Sequence, residues 1–326
     1  MSKEVLIKSK IIACGAYLPS KILTNDDLSK MVDTNDQWII ERTGIKKRHI
    51  AADGEKTSDL GYEAAKEAIT KSDIKPEDID IIILATTTAD NSFPAAATRI
   101  QQKLKANNAA AFDVQAVCSG FVYAVNLADN FIKTGQAQNV LVIGAETLSN
   151  LVDWKDRGTC VLFGDGAGAI ILQANTDIKD KSDIIYNKLY SDGNFYDILK
   201  TTGGISDIDA NNKITMEGTE VFKHAVSKMS DAVLSALKEL DLEKEDIDFL
   251  IPHQANQRIL IAIEKKLKLA RGQVISSVAE HANTSAASIP LALNNYLVNK
   301  IIARGSLVVF VSIGGGLSWG INILRW

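Results

Sequence analysis

The chain has 326 residues, enough to bury a large core as one large domain or two medium ones. Apolar residues make up 46% and charged residues 23% of it, a balance typical of a soluble globular protein. The formal net charge of -4 argues against nucleic acid as a default partner, because proteins that bind nucleic acids usually carry a basic excess.

Cysteine usage and hydropathy argue against disulfide-rich, zinc-binding, secreted and membrane-spanning proteins. Cys14, Cys118 and Cys160 are too few and too scattered to predict a disulfide framework or a zinc site. The N-terminal segment lacks the apolar core of a secretory signal, and no run of about 18 apolar residues predicts a membrane span. We therefore expect a cytoplasmic protein with reduced thiols, no metal and no membrane partner.

The predicted elements of the first half begin with an amphipathic helix over 60–69, whose apolar residues share one face. The acidic sequence EDID at 77–80 follows, and the apolar run IIIL after it predicts a buried strand. A further strand ends at Val117 and leads through Cys118 into a helix, and the run NVLVIG at 139–144 predicts another buried strand.

The same order of elements recurs in the second half. A helical stripe over 222–240 precedes a second EDID at 245–248, so the numbering offset between the copies is 245 − 77 = 168. This offset also places Cys118 on Ala286 and the strand NVLVIG on the strand LVVFVS. Three matches in one register indicate an internal duplication.

The register then changes, because Gly168 matches Gly320 at an offset of 320 − 168 = 152. The first half is therefore longer than the second in this region, by 168 − 152 = 16, which predicts an inserted loop near 147–161. Alternating helices and buried strands are typical of α/β units. We predict two similar α/β halves, residues 1–174 and 175–326, that pack against one another.

Cys118 lies at a predicted strand-to-helix turn. Unpaired N–H groups and the macrodipole at a helix N-terminus favour a thiolate there, so Cys118 is a candidate nucleophile. The ordinary alternative is a small buried cysteine, and we assign that role to Cys14 and Cys160.

His253 follows the second-copy strand directly, at the carboxyl end where α/β sheets bind ligands. Asn283 precedes the second-copy helix, at the turn equivalent to the Cys118 turn. The duplication would therefore bring all three residues toward one cleft. A structural role stays open for His253, as does a turn or helix-cap role for Asn283. His281 is interpreted as a neighbour of the site.

Two glycine-rich segments need separate interpretations. Gly314, Gly315 and Gly316 follow an apolar strand and suit either close backbone approach to a ligand or a tight turn. GDGAG at 164–168 lacks the lysine of a phosphate-binding P-loop, so we assign it to turn and packing roles.

Taken together, the motifs resemble the β-ketoacyl-acyl-carrier-protein synthase III family of the thiolase-like superfamily along nearly the whole chain. They are, in chain order, DxWIxxRTGIxxRHIA, CSGF, DRGTCVLFGDGAGA, IPHQAN, NTSAASIP and GGGxxWG. The resemblance implies duplicated α/β halves in a layered αβαβα architecture and an acyltransferase that initiates fatty-acid synthesis. It implies joining of a short acyl-CoA, acetyl-CoA in the first place, to malonyl-acyl-carrier protein, with coenzyme A thioesters as substrates and no cofactor.

The resemblance also implies a site. Cys118, His253 and Asn283 would form a Cys–His–Asn set, in which asparagine replaces the second histidine of the elongating synthases. The N–H groups of Cys118 and Gly315 would bind the oxyanion, while His253 and Asn283 would donate hydrogen bonds to an enolate.

Coenzyme A binding is implied at a further set of residues. Trp38 and Arg157 would lie on either face of the adenine, since indole and guanidinium planes stack on purines. Thr34 and Arg42 would lie nearby. The pantetheine tunnel would be lined by Met216, Gly218, Phe222, Ala255 and Asn256.

Carrier-protein docking is implied at the segment Gln254, Ala255, Asn256, Gln257 and Arg258. Because such carrier proteins are acidic, the candidate docking cations are Arg258, Lys223, Lys265 and Lys266. A solvated helix face is the alternative for each lysine.

Two further residues bear on the acyl pocket. Phe93 matches a residue that the family uses at the dimer interface and acyl pocket. The resemblance implies a homodimer, because the family buries a large apolar interface. Ile313 stands where the family often has phenylalanine, which leaves the preferred acyl chain open.

Other functions remain as alternatives at this point. A condensing enzyme of secondary metabolism would keep Cys118 and accept another chain or acceptor. A non-catalytic acyl-CoA-binding scaffold would form no adduct on Cys118. A cysteine hydrolase would need a water-activating base beyond His253.

Overall fold

The structure is a computed structural model that describes residues 7–207 and 211–326. Its strands are β1 Lys8–Tyr17, β2 Lys21–Thr24, β3 Lys47–Ile50, β4 Ile81–Ala85, β5 Ala110–Val114, β6 Asn139–Glu146, β7 Gly166–Asn175, β8 Asp183–Ser191, β9 Leu199–Thr201, β10 Ile214–Met216, β11 Phe249–Pro252, β12 Leu307–Gly314 and β13 Ser318–Arg325. Its α-helices are α1 Asn25–Leu28, α2 Asp36–Thr43, α3 Thr57–Thr70, α4 Ala96–Leu104, α5 Gly120–Lys133, α6 Arg157–Cys160, α7 Gly218–Glu239, α8 Gln257–Leu267, α9 Val278–His281 and α10 Ser288–Asn299. Single turns of 3-10 helix include Val117–Ser119 and Ser285–Ala287.

Two mixed sheets share one topology. The first is five-stranded, in the order β1-β7-β6-β4-β5, and the second is four-stranded, in the order β11-β12-β13-β8. In the first sheet β1, β7 and β6 are antiparallel neighbours, and β6, β4 and β5 run parallel. In the second sheet β8, β13 and β12 are antiparallel and β12 pairs with β11 in parallel. A parallel bridge from Leu250 to Val274 takes the place of the fifth strand.

The sequence offsets reappear in the starts of the elements. The first residues of β11 and β4 differ in number by 249 − 81 = 168, and those of β12 and β6 differ by 307 − 139 = 168. The two 3-10 turns, at 117–119 and 285–287, differ by the same amount, whereas β13 and β7 differ by 318 − 166 = 152. The boundary at 174/175 stays a prediction of the repeat; β7 continues to Asn175.

Five layers follow from how the helices pack, and they confirm the layered α/β fold. Helices α3 and α4 cover the outer face of the first sheet, and α7 and α8 cover that of the second. Helices α5 and α10 lie between the sheets, in a core cluster with residues of both, such as Ile83 and Phe310. The apolar strands are covered on both faces, which is why they lack a polar alternation.

The insertion between β6 and β7 is more than a loop. It covers 147–165, whereas the equivalent connection in the second half, between β12 and β13, covers only 315–317. The insertion contains a 3-10 turn and the short helix α6. Its apolar residues pack with those of α1, α2 and α8 in a separate core cluster. It therefore forms a folded wall beside the second half.

Within residues 7–207 and 211–326, none of the helices combines the length and the apolar character that a membrane crossing requires. The same part of the chain has no group of three or more His, Cys, Asp and Glu side chains that could hold a metal ion.

The two halves meet closely at the start of the central helices. A Cβ added to Gly144, at the end of β6, would come within 2.3 Å of the Ala286 carbonyl oxygen. Real Cβ atoms do not approach a backbone oxygen so closely, so glycine allows β6 to lie against the turn 285–287. This contact sets how closely the end of β6 approaches the turn 285–287.

We predict that Gly144→Ala lowers the free energy of unfolding by about 1–3 kcal/mol, because the added methyl group forces the backbone of the facing turn to move. Urea unfolding measures the change. Gly193→Ala is the control, since a Cβ there meets no heavy atom within 4 Å, and its effect should stay within about 0.5 kcal/mol. Equal unfolding midpoints for the two variants would contradict the close contact.

Candidate active site

Cys118 lies where two cavities meet. One cavity of about 470 Å³ is lined by Cys118, His253 and Asn283 together. A second cavity, of about 720 Å³, is lined by Cys118 and Ser285 and reaches Ile205. The structure thus brings the three predicted site residues, which come from both halves of the chain, into the wall of one pocket.

The turn before α5 sets the position of Cys118. Val117 has φ of 47°, in the left-handed region where a β-branched residue is strained. Ser285, its counterpart in the repeat, has φ of 49°. The Ser312 hydroxyl donates to the Cys118 carbonyl oxygen at 2.7 Å and ties the turn to β12. Both copies therefore use the same strained backbone to present the residue that follows.

The protonation of Cys118 differs from the sequence-based expectation. The pKa of the Cys118 thiol is raised to about 12, mainly because the sulfur is buried; the nearby Glu146 charge contributes in the same direction. The helix N-terminus was expected to favour a thiolate. The resting site instead favours the neutral thiol, because burial of the sulfur disfavours its charged form.

His253 is held as a neutral imidazole. Its backbone N–H donates to the Val311 carbonyl oxygen at 2.9 Å, which fixes it to β12, and burial lowers its pKa to about 3. Its Nδ1 lies 2.7 Å from the Ser288 hydroxyl, which also accepts the Gln254 N–H at 3.2 Å. We assign the Ser288 hydroxyl as the donor and Nδ1 as the acceptor. The ring hydrogen is then on Nε2, and this nitrogen is a hydrogen-bond donor.

Asn283 is oriented by its own turn. Its side-chain Oδ1 accepts the Ser285 N–H at 2.9 Å. Its backbone bonds the Leu162 carbonyl oxygen at 2.9 Å and the Gly164 N–H at 3.0 Å, in the insertion. With the carboxamide oxygen held, the NH₂ group is the donating end. His253 and Asn283 therefore both offer uncharged hydrogen-bond donors.

Three polar residues of the site were not singled out from the sequence. Ser288 orients His253, and the Ser285 hydroxyl donates to Glu146 and lines the same cavity as Cys118. Glu146 is fully buried at the carboxyl end of β6. The signal available for Glu146 was its place at the end of a buried strand, at the edge where the repeat already placed His253.

The predicted coenzyme A residues divide into two groups. Those that line the His253 cavity are Trp38, Arg42, Met216, Gly218, Phe222, Ala255 and Asn256. Thr34 and Arg157 are outside its lining. The Arg157 guanidinium lies 4.8 Å from the Trp38 ring and covers one face of it, while Arg42 lies 4.8 Å from the same ring. A purine stacks between Trp38 and Arg157 only after the guanidinium moves aside.

The predicted carrier-protein segment is only partly accessible. Gln254 is 1% exposed, and its amide bonds the carbonyl oxygens of Pro252 and Ile275 and the Ser277 N–H. Its assignment to docking is therefore wrong, because the side chain is committed to the protein interior.

The remaining residues of that segment lie nearer the surface. Asn256 caps α8 through the Arg258 N–H, and Gln257 accepts the Ser276 hydroxyl. Arg258 is exposed and faces the Phe222 ring at 5.9 Å.

The three lysines lie on the outer helices α7 and α8. Lys223 pairs loosely with Glu220 at 3.7 Å, and Lys266 pairs with Asp231 at 2.8 Å. Lys265 is exposed.

Four other predicted residues occupy distinct places. A Cβ on Gly315 would lie 2.7 Å from the Leu199 carbonyl oxygen, so this position requires glycine. Ile313 lines the His253 cavity. Phe93 is 84% exposed. His281 is buried on α9 and outside the lining of either cavity.

Comparison with known proteins agrees with this arrangement. Two family models match, 3-oxoacyl-[acyl-carrier-protein (ACP)] synthase III over residues 112–193 and its C-terminal counterpart over 237–326. The β-ketoacyl-[acyl-carrier-protein] synthase III of Rhodospirillum centenum is 51% identical over 322 residues, covering 98% of this chain and 99% of the relative. That of Wolbachia pipientis wMel is 54% identical over 320 residues, covering 98% and 99%.

A solved structure is also similar over nearly the whole chain. The crystal structure of 3-oxoacyl-[acyl-carrier-protein] synthase III from Aquifex aeolicus VF5 has a TM-score of 0.92 and 46% identity, covering 98% of this chain and 100% of that one. The fold is therefore thiolase-like, and the chain belongs to the β-ketoacyl-acyl-carrier-protein synthase III family of condensing acyltransferases.

Proposed function

We propose that the protein condenses a short acyl-CoA, acetyl-CoA in the first place, with malonyl-acyl-carrier protein to give a β-ketoacyl-acyl-carrier protein. This is the condensation that initiates fatty-acid synthesis. The observation that carries the proposal is the convergence of Cys118, His253 and Asn283 on one cavity. Two further observations support it. The relatives are β-ketoacyl-acyl-carrier-protein synthases III, and the residues proposed to bind the pantetheine arm line the same cavity.

The first step transfers the acyl group to Cys118. The sulfur attacks the thioester carbonyl carbon, the bond from that carbon to the coenzyme A sulfur breaks, and an acyl-Cys118 thioester remains. The N–H groups of Cys118 and Gly315 are the proposed donors to the oxyanion. The turn before α5 and the glycine run after β12 supply them.

The second step forms the carbon–carbon bond. Loss of CO2 from the malonyl group leaves an enolate whose oxygen accepts hydrogen bonds from Nε2 of His253 and the NH₂ group of Asn283. Neutral donors suit this task, because a charged imidazole would be costly in so buried a site. The enolate carbon then attacks acyl-Cys118 and releases the sulfur.

The substrates approach along the cavity wall formed by α2, α7 and α8. Coenzyme A is proposed to bind at Trp38, Arg42 and Arg157, with the pantetheine arm along Met216 and Phe222. The exposed cations for an acidic carrier protein are Arg258, Lys223, Lys265 and Lys266. Thioester exchange and decarboxylation require no redox cofactor, and none is proposed.

A homodimer in the cytoplasm completes the proposal. Phe93 is a large apolar side chain left exposed next to Asn91 and Ser92, which line the second cavity. A second copy that covers Phe93 would bury this surface beside the acyl pocket. A reducing compartment would keep Cys118 as a thiol.

We expect Cys118→Ser to abolish acyl loading, because the hydroxyl is a much weaker nucleophile than the thiol. Mass spectrometry of the intact protein after mixing with acetyl-CoA measures the adduct. Cys160→Ser serves as the control and should load normally, since Cys160 is buried outside the lining of both cavities. An acyl adduct that persists on Cys118→Ser would show that another residue is the nucleophile.

We expect His253→Ala to slow malonyl decarboxylation by roughly 10²–10³-fold, the usual cost of removing one donor to an oxyanion. Acyl loading of Cys118 should fall much less, because His253 acts on the enolate. Release of labelled CO2 and formation of acyl-Cys118 are measured separately. Equal losses in the two steps would reject the enolate role.

We expect Arg258→Glu to raise KM for malonyl-acyl-carrier protein several-fold with little change in KM for acetyl-CoA, because a negative charge repels an acidic partner. Steady-state kinetics with each substrate varied in turn measures both constants. Lys179→Glu, an exposed charge reversal between β7 and β8, is the control. The same rise in both variants would exclude a specific docking role.

A further inference from the structure

The glycine hairpin between β12 and β13, residues 314–318, lies directly on the turn before α5. Ser318 begins β13 and pairs with Gly314 at the end of β12. A Cβ built on Gly314 would lie 2.7 Å from the Cys118 nitrogen and 3.1 Å from that of Ser119, so glycine is required for this approach. The contact brings together the two backbone segments that carry the proposed oxyanion donors, the N–H groups of Cys118 and Gly315.

The Ser318 hydroxyl lies between these two segments. Its Oγ is 3.2 Å from the Gly315 carbonyl oxygen in the hairpin and 3.2 Å from the Ala116 carbonyl oxygen at the start of the turn. It is also 2.8 Å from the Oγ of Ser119. Because Ser119 donates its own hydrogen to the Ala116 carbonyl oxygen at 2.6 Å, its oxygen is left to accept the hydrogen of Ser318. One hydroxyl therefore bridges the hairpin and the turn.

A third serine holds the other side of the turn. The Ser312 hydroxyl donates to the Cys118 carbonyl oxygen at 2.7 Å, and both Ser312 and Ser119 are fully buried. Between these anchors lies Val117, whose φ of 47° is strained. A strained residue keeps its conformation only where the surrounding structure holds it. The serine hydroxyls therefore help to set the direction of the peptide N–H that follows Val117, which is the N–H of Cys118.

The internal duplication shows that the fold does not need these hydroxyl groups. The offset of 168 relates the turns and the strands β6 and β12, and the offset of 152 relates β7 and β13. The counterparts of the three serines all lack a hydroxyl group: they are Ala287 for Ser119, Gly144 for Ser312 and Gly166 for Ser318. The equivalent turn, 285–287, thus adopts its strained conformation without them. The hydroxyl groups surround only the turn that carries the nucleophile, which favours a role in its chemistry.

We propose that Ser318 is a positioning residue for acyl loading, which holds the N–H groups of Cys118 and Gly315 at the spacing that binds the thioester oxyanion. The inference deepens the proposed function and rests on it. Ser318 acts through the two backbone segments and exchanges no proton with the substrate. Ser119 connects it to the turn, and Ser312 holds the turn from the opposite side.

The size of the effect follows from the geometry that an oxyanion requires. Donors stabilise the oxyanion only when they are aimed at the position that its oxygen occupies, and a misplacement of about 1 Å costs roughly 100-fold in rate. Without the Ser318 hydroxyl, the Ala116 carbonyl oxygen still accepts the N–H and the hydroxyl of Ser119, so the turn itself remains closed. What is lost is the link between the turn and the hairpin, and we expect a partial loss of rate.

The inference is tested with Ser318→Ala and Ser318→Thr by two measurements on Cys118. One is the single-turnover rate of acyl loading at several acetyl-CoA concentrations, and the other is the rate of alkylation by iodoacetamide, which forms no oxyanion. We expect Ser318→Ala to lower the loading rate at saturating acetyl-CoA about 10–100-fold, with the half-saturating concentration and the alkylation rate nearly unchanged. Ser318→Thr keeps the hydroxyl group and should restore loading to nearly the wild-type rate.

Ser72→Ala is the matched control, because it removes a half-buried hydroxyl that donates to the Ile69 carbonyl oxygen at 2.8 Å, at the end of the outer helix α3. Both of its rates should equal those of the wild type. Loading by Ser318→Ala at the wild-type rate, or alkylation that falls as far as loading, overturns the positioning role. If thermal unfolding shows that Ser318→Ala does not fold, Ser119→Ala decides the matter, since a wild-type loading rate without the hydroxyl that Ser318 bonds overturns the role equally.

The same experiment separates this inference from the proposed function. Wild-type protein that takes no acyl group from acetyl-CoA would refute the proposed function and the inference together. Wild-type protein that loads Cys118, compared with a Ser318→Ala variant that loads it equally fast, would refute the inference alone and leave the proposed function in place.

Discussion

The close contact of two equivalent turns, Val117–Ser119 and Ser285–Ala287, determines the architecture of the site. Each turn starts a central helix, and each has a strained left-handed residue at the same place in the repeat. Glycine at 144 lets β6 approach the backbone of the second turn. Because helices α5 and α10 fill the space between the sheets, the carboxyl ends of β4, β6, β11 and β12 are held around Cys118.

Because the site is buried between the two halves, desolvation shifts the pKa values of its titratable groups. Burial raises the pKa of Cys118 and of Glu146 and lowers that of His253, so each group is disfavoured in its charged form. A charge that develops during reaction must then be met by aimed donors rather than by water. Two serines orient the donors of the site. Ser288 sets which nitrogen of His253 donates, and the backbone N–H of Ser285 holds the Asn283 carboxamide oxygen.

The insertion after β6 connects the outer part of the cavity to the site. The insertion after β6 packs on α1, α2 and α8 and reaches Asn283 through backbone hydrogen bonds, so it joins the cavity wall to the site. Gln254 lies on the inner side of this wall, whereas Arg258 lies further along the chain, in the first turn of α8, and is exposed. Neighbouring residues of one motif therefore serve different purposes, one structural and one available to a partner.

Local order was enough to predict the duplication, the buried strands and the places of Cys118, His253 and Asn283, because apolar periodicity and a constant offset can be read along the chain. Packing of the two halves was needed to establish the raised pKa of the Cys118 thiol, the burial of Gln254 and the contact of Arg157 with Trp38. Desolvation and hydrogen-bond direction depend on atoms from strands and turns far apart in the chain. Those neighbours exist only after the two halves have packed.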